Sequence, residues 1–421
     1  MNKHNYKTII ISLLLLFSLI FNVSSCSLPV VKADDLMEDI TPQKVSGKAI
    51  DDEFITEYLR FSLELFDKAS KESLNKNTLI SPLSLELALA MTANGTDNQT
   101  MEEFEQLFGI KLDDLNEYLY TYAAGLPSES KSKLEIANSI WFRDSDYFTV
   151  YEDFLQKNAD YYGADAYKSP FDGQTVNDMN AWTEKNTDGM IKKIIETISP
   201  DNVMFLLNAI VFDSEWEEAY EKSDIYTGAF YPIEGNLKNV EMMRSEEKIY
   251  LDDGSAKGFI KPYKNNNYSF AALLPNEGVD LYEYIDSLTV QGIKELLNEG
   301  KEYRTVQAVI PKFTYEFEIN MNEILNSLGV VYAFNSEVSD FSKLGKSHNG
   351  NLCLGNVIHK TFISLDEKGT KAAAVTRVDV NTETAYEYPL KVTLDRPFVY
   401  MIVDNATSLP IFIGTVTDIL P

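Results

Sequence analysis

Side chains able to do catalytic chemistry are scarce in this chain. Its 421 residues contain three histidines and two cysteines. His4 falls in an N-terminal segment that reads as a targeting signal, which leaves His348 and His359. No His-Glu-x-x-His or Cys-x-x-Cys pattern occurs to ligate zinc, so no metal or other cofactor is expected. Gly345-Lys346-Ser347 looks like the end of a phosphate-binding loop. The earlier glycine of such a loop is replaced by Asp340, which leaves a loop with a basic residue. No Gly-x-Ser-x-Gly elbow presents a serine nucleophile. Acidic residues number 65, too many for any pair to be singled out as a hydrolase site. Catalysis is not the expected activity.

The spacing that does carry information is Glu367-Lys-Gly-Thr-Lys-Ala-Ala-Ala-Val-Thr376, continuing to Glu383. Every second residue, Thr370, Ala372, Ala374, Thr376, Val378, Val380 and Thr382, is small or β-branched. The interleaved set, from Lys371 to Glu383, is mostly polar or charged. A period of two puts these sets on opposite faces of a strand. Small side chains on one face suit a tight slot in an existing sheet. The stretch has the pattern of a strand and the composition of a loop, as an insertable strand would.

The elements that would supply such a slot are also legible. Phe54, Tyr58, Phe61, Leu65 and Phe66 recur at helical spacing between Asp52 and Ser70. Ser81-Pro82-Leu83-Ser84 is a turn-and-cap signal for a helix from Ser84 to Ala93, with Gly95 as its stop. Further helices are predicted over Thr100–Phe108 and Leu112–Ala124. Leu134–Phe142 and Val203–Phe212 are long apolar runs that fit strands of a central sheet buried on both faces. Ser269–Leu274, Arg304–Ile310 and Phe313–Ile319 read as shorter strands, and Val357–Ile419 is strand-rich. Helices gather early and strands late without a βαβ rhythm, which predicts an α+β fold. No repeat or Gly/Pro-rich linker divides it, so one domain is expected over 51–421.

Formal charge is −28, and removing Lys3 and Lys7 with a signal segment brings it to about −30. Such a field repels phosphate backbones, so nucleic acid is not an expected partner. Lys3, His4 and Lys7 precede an apolar run from Ile9 to Val23, too short for a spanning helix. Two processing sites compete. Val23-Ser24-Ser25-Cys26 has the pattern of a lipobox, with cleavage before Cys26 and lipid on its sulfur. Val31-Lys32-Ala33 has that of an ordinary signal-peptidase site, which would release a secreted protein. The lipoprotein reading is favoured because Cys26 sits directly at the end of the apolar run. On it, residues 1–25 are a signal peptide, 26–50 a tether, and the membrane is a partner through multiple acyl chains. Both readings imply export. Cys353, in the apolar context Leu352-Cys353-Leu354, is expected to be a buried free thiol.

Taken together, the motifs resemble the serpin family from about residue 50 to Pro421. Asn77-Thr-Leu-Ile-Ser-Pro-Leu-Ser84 with Ala88-Leu-Ala-Met91 is similar to its first helical signature. Asn208, Ala209, Phe212 and Trp216 match its central strand, and Pro311-Lys-Phe313, Leu328-Gly329 and Asp340-Phe-Ser342 follow in order. Val357-Ile-His-Lys360, Asp366-Glu-Lys-Gly-Thr370, Arg396-Pro-Phe398 and Pro410-Ile-Phe-Ile-Gly414 complete the set.

The resemblance implies a single domain with three β-sheets, eight or nine helices and an exposed reactive loop. The family is a standing example of strand insertion into a sheet. It implies a monomeric inhibitor whose partner is a serine protease, held as a covalent acyl complex after cleavage of the loop and insertion of Thr370–Thr382. The alternative is a non-inhibitory member that binds or carries something. Roughly fifteen residues at about 3.3 Å each span about 50 Å, enough to cross such a domain. By resemblance Gly369, Thr370, Ala372, Ala373 and Ala374 form the hinge, and no proline or charge stands at Thr370. Ser81, Asn208 and His359 form the shutter beneath the sheet, and Trp216 and Glu367 the breach where the loop enters. The family's usual spacing from Glu367 puts the reactive bond at Glu383-Thr384. A slightly long loop leaves Ala385-Tyr386 and Tyr386-Glu387 as neighbours. Two departures are Lys371, on the outer face, and Asp213-Ser214, expected at a turn of little consequence.

Overall fold

The computed structural model describes residues 31–145, 148–199, 202–299, 305–348, 350–370 and 390–419. Four helices build the early part. α1 (Asp52–Glu72) begins where the Asp51 carboxylate accepts the Phe54 amide at 3.1 Å, with Asp52 and Glu53 placed to complement the helix dipole. Its buried face is the predicted one, with Phe54, Tyr58, Phe61, Leu65 and Phe66 all buried. α2 (Pro82–Ala93) starts two residues before the expected boundary, because Ser81 is the N-cap and Pro82 occupies the first turn. All of its residues are buried, so no polar face marks it as a helix. It ends at Asn94, and Gly95 acts by close approach rather than by a left-handed stop. A Cβ there would lie 2.5 Å from Leu344 Cβ. α3 (Asn98–Phe108) and α4 (Leu112–Gly125) follow as predicted, within two residues at each end. α5 (Glu152–Tyr162), α6 (Gly173–Asn186) and three shorter helices had not been located individually; with α1–α4 they make nine α-helices among the described residues, within the eight or nine expected.

The main sheet has seven strands. In chain order they are β1 (Asp34–Asp35), β2 (Ser132–Arg143), β3 (Asp165–Ser169), β4 (Met204–Glu215), β5 (Phe313–Asn320), β6 (Ile358–Leu365) and β7 (Gly369–Thr370). Their order in space is β1-β3-β2-β4-β7-β6-β5. β2 and β4 pair antiparallel from Ser132–Ser214 to Phe142–Met204. Both extend beyond the apolar runs that predicted them. Burial on both faces holds for part of β2 only, since Glu135 is exposed and Ile136 and Ala137 are partly so.

Behind this sheet lies a six-stranded one, in the order 78–80, 410–416, 398–404, 268–275, 256–262 and 249–252. α2 packs against both β4 and Pro410–Val416, so the two sheets and this helix share one core. A four-stranded sheet, ordered 390–393, 306–311, 238–247 and 225–230, covers one end. A fourth, two-stranded ladder joins Phe148–Val150 to Gly345–Ser347. Three sheets were expected, and Gly345-Lys346-Ser347 is this small strand rather than a loop. The fold is α+β in one domain, and no described helix is long and apolar enough to cross a membrane.

The described part of the predicted tether is docked. Asp34 and Asp35 pair with Lys168 and Tyr167 at the edge of the main sheet, and the Leu36 amide donates to the Ala166 carbonyl at 2.8 Å. Leu36, Met37, Ile40 and Ile50 pack on the core. Four apolar residues scattered among polar ones show no period, so only the open backbone of β3 reveals their place. Cys353 is a half-buried free thiol whose pKa is raised by burial, not the fully buried one expected.

Candidate functional site

Of the residues singled out as hinge, Gly369 and Thr370 are described, and they lie between β4 and β6. These two strands run parallel and meet in a bridge at Leu206–Val357. At the other end, level with Ser214 and Leu365, β7 separates them. Gly369 pairs with Glu215, and Thr370 pairs with both Ser214 and Leu365. The first two residues of the expected hinge are therefore already a strand of the main sheet.

A tight turn delivers them. The Asp366 carboxylate accepts the Lys368 amide at 2.8 Å and the Gly369 amide at 3.3 Å, and the Asp366 amide donates to the Gly369 carbonyl. Gly369 is required by space. A Cβ on it would stand 2.0 Å from the Ser214 carbonyl oxygen. Thr370 is buried, and its Oγ1 lies 2.6 Å from the Tyr263 hydroxyl. Ala372, Ala373 and Ala374 of the hinge, the Glu383-Thr384 bond and Cys26 lie outside the described residues.

The breach residues clamp this turn from the side. The Trp216 amide donates to the Lys368 carbonyl at 2.7 Å, and its indole N–H donates to the Asp366 carbonyl at 2.9 Å. Glu367 pairs with Lys312 at 2.8 Å, and Lys312 also reaches Glu241 at 3.2 Å. The hydrogen bond from Lys312 holds the Glu367 carboxyl below its ordinary range. Asp213-Ser214 is not at a turn. Both residues lie within β4, where Ser214 is buried and its hydroxyl meets that of Ser132 at 3.0 Å. The Ser214 backbone carbonyl borders the slot that admits Gly369.

The shutter residues are brought together only in part. The Ser81 amide donates to His359 Nε2 at 3.1 Å, and the Ser81 hydroxyl caps α2. Two residues on, Thr361 donates to the Leu79 carbonyl at 2.8 Å. Asn208 joins a different partner, donating to the side chain of Asn138 directly across the β2–β4 pair. The residues assigned to the shutter thus form two clasps, Ser81–His359 at β6 and Asn208–Asn138 between β4 and β2. Asn138, Lys312 and Tyr263 were not foreseen. Each acts through a partner far away in sequence, and no local pattern marks it.

Burial pushes the His359 imidazole down to about 3 from an ordinary 6.5, so it is neutral and accepts the Ser81 N–H. A depressed base stabilises the fold above the unfolded value. That contribution is lost as pH falls from 6.5 toward about 3, and it reaches about 4–5 kcal/mol in all. His359→Gln keeps an acceptor but cannot titrate. Urea unfolding of this variant is expected to lose less stability than wild type between pH 7 and 4. Parallel pH profiles for the two proteins would contradict this account of His359.

A family model described as serpin (serine protease inhibitor) matches residues 56–419. The chain belongs to the serpin family. It is similar to a serpin-like protein of Methanosarcina acetivorans, 30% identical over 367 residues, with 85% of this chain and 84% of that one covered. Leukocyte elastase inhibitor A of Rattus norvegicus is 29% identical, with 85% of this chain and 97% of that one covered. Among solved structures, the native state of the thermophilic serpin tengpin superposes with a TM-score of 0.89 at 50% identity, covering 92% of this chain and 100% of that one.

Proposed function

We propose that this serpin inhibits serine proteases as a suicide substrate. The protease cleaves the reactive loop near Glu383-Thr384, the chain from Thr370 to Thr382 enters the main sheet, and the protease is carried along as an acyl-enzyme. The observation that carries this reading is the place of Thr370. It already stands between β4 and β6, on the line that the rest of the small-residue face would follow. A new central strand would add about ten net backbone hydrogen bonds at roughly 1 kcal/mol each, before burial is counted. That is ample to make trapping irreversible. The acidic residue at Glu383 favours a target that accepts or tolerates an acid there.

Cleavage of the loop separates this reading from that of a carrier or binding serpin. Thermal unfolding of loop-cleaved protein should shift upward by tens of degrees, because the inserted strand adds bonds and buried area. Unchanged thermal stability after cleavage would favour the non-inhibitory reading.

We further propose export, with the lipid of a membrane lipoprotein on Cys26 facing the cell exterior. Asp34 is level with Phe142 on β2, whereas Thr370 is level with Ser132, ten residues or about 33 Å away along the strand. An anchor on Cys26 would hold the domain by the pole opposite the hinge and leave the loop free to meet a protease. Fatty-acid labelling of wild type and Cys26→Ala distinguishes this from secretion after Ala33, since label would be lost only if Cys26 carries the lipid.

A further inference from the structure

The described hinge rests on one side chain from the second sheet. Tyr263 follows the strand Ala256–Pro262, and its amide donates to the Tyr268 carbonyl at 2.9 Å. It is fully buried, with its ring stacked on Trp216 at 4.4 Å and 10° and meeting Phe212 edge-on at 4.9 Å. Trp216 is in turn backed by Lys261, whose ammonium lies 5.4 Å from the indole and is held by the buried Glu247 at 2.9 Å. A buried phenol held between a stacked ring and an edge-on ring has little freedom, so its hydroxyl is a fixed point. That hydroxyl shares a 2.6 Å hydrogen bond with Thr370 Oγ1. Burial raises the Tyr263 phenol well above its ordinary range, so the group stays neutral.

We propose that Tyr263 is a positioning residue for loop insertion. Its hydroxyl holds Thr370 in register between β4 and β6, so that insertion extends a strand already begun. The pairings of Gly369 and Thr370 are few, and two residues alone make a weak ladder. A hydroxyl anchored in the core gives that ladder a fixed first rung. Without it, Thr370 would be left with an unpaired buried oxygen in the slot and would leave more often. For the loop's fate, the proposal rests on the inhibitory reading. Each release of the first rung delays insertion, and delay lets the acyl-enzyme hydrolyse and the protease escape.

Hydrogen exchange on the intact protein, with no protease present, tests the seating directly. In Tyr263→Phe, the amides of Gly369 and Thr370 should exchange roughly fivefold faster or more. Thr370→Val should do the same, because it strands the Tyr263 hydroxyl. Thr370→Ser, which keeps the hydroxyl, should stay near wild type. Combining Tyr263→Phe with Thr370→Val removes both polar partners and should restore much of the protection. A purely structural role for the ring predicts no such rescue. In parallel, the moles of inhibitor consumed per protease trapped should rise in each single variant and fall back in the double. Unchanged exchange in both single variants, or a double variant no better protected than the worse single, would overturn the proposal. If exchange behaves as stated while wild type traps no protease, the hinge assignment stands and the inhibitory reading falls.

Discussion

Replacing Thr370 with arginine should turn the protein from a trap into a substrate. Thr370 is 3% exposed, bordered by Ser214 on one strand and Leu365 on the other, with its oxygen engaged by Tyr263. Moving a guanidinium into that slot without a counter-charge costs of order several kcal/mol. The hinge avoids the cost by staying outside the sheet. The reactive loop is still presented and still cleaved, but the first rung of the new strand does not form. Hydrolysis then overtakes insertion, and the yield of covalent complex should fall more than tenfold while the cleavage rate stays close to wild type. Thermal unfolding of the uncleaved variant should change little, because only the pair Gly369–Thr370 leaves the sheet. The heat-stability gained on loop cleavage should largely disappear. A Thr370→Arg protein that still traps protease with wild-type yield would contradict the role given to β7.

The second large effect lies away from the slot, at Glu86. This carboxylate is 1% exposed in the middle of α2, and its Oε2 has no hydrogen-bond partner among the described residues. Burial pushes it up to about 8, with Arg60 pulling weakly the other way. An acid whose folded pKa is raised binds its proton more tightly in the folded state than in the unfolded one. Stability is therefore lost as pH rises from about 4.5 to about 8 and is level beyond. The loss amounts to about 3 kcal/mol between pH 5 and 7.5. Glu86→Gln keeps the volume and removes the titration. In urea unfolding, its stability relative to wild type should improve by about 3 kcal/mol over that pH interval. A constant difference between the two proteins across the interval would show that Glu86 is not buried as a neutral acid.

The parts that could be read from the chain are those with a local pattern. The apolar face of α1 repeats at helical spacing, β2 and β4 announce themselves as continuous apolar runs, and of the small-residue face only Thr370 falls among the described residues. Thr370 does point into the sheet, as its place in the alternation requires. What escaped depends on contacts between distant segments. Tyr263 and Thr370 are 107 residues apart, and Asn138 and Asn208 are 70 apart. Nothing near either member announces its partner. Asp213-Ser214 was expected at a turn through the resemblance alone, whereas the strand carries it to the border of the slot. Glu86 was hidden for the opposite reason. A lone acid in Leu85-Glu86-Leu87 looks like a solvent face, yet α2 has none. The docking of residues 34–50 escaped because a sheet edge recruits backbone, and backbone leaves no mark in side-chain composition.

Incubation with a panel of serine proteases, followed by denaturing electrophoresis and mass spectrometry, tests the central claim most directly. The account predicts a denaturant-resistant species whose mass is that of one protease plus the inhibitor, less the fragment beyond the cleaved bond. That fragment should begin at Thr384, or within about three residues of it, by the length of an extended strand needed to cross the sheet. Quantitative cleavage in the loop by many proteases, with no covalent species from any of them, would contradict it.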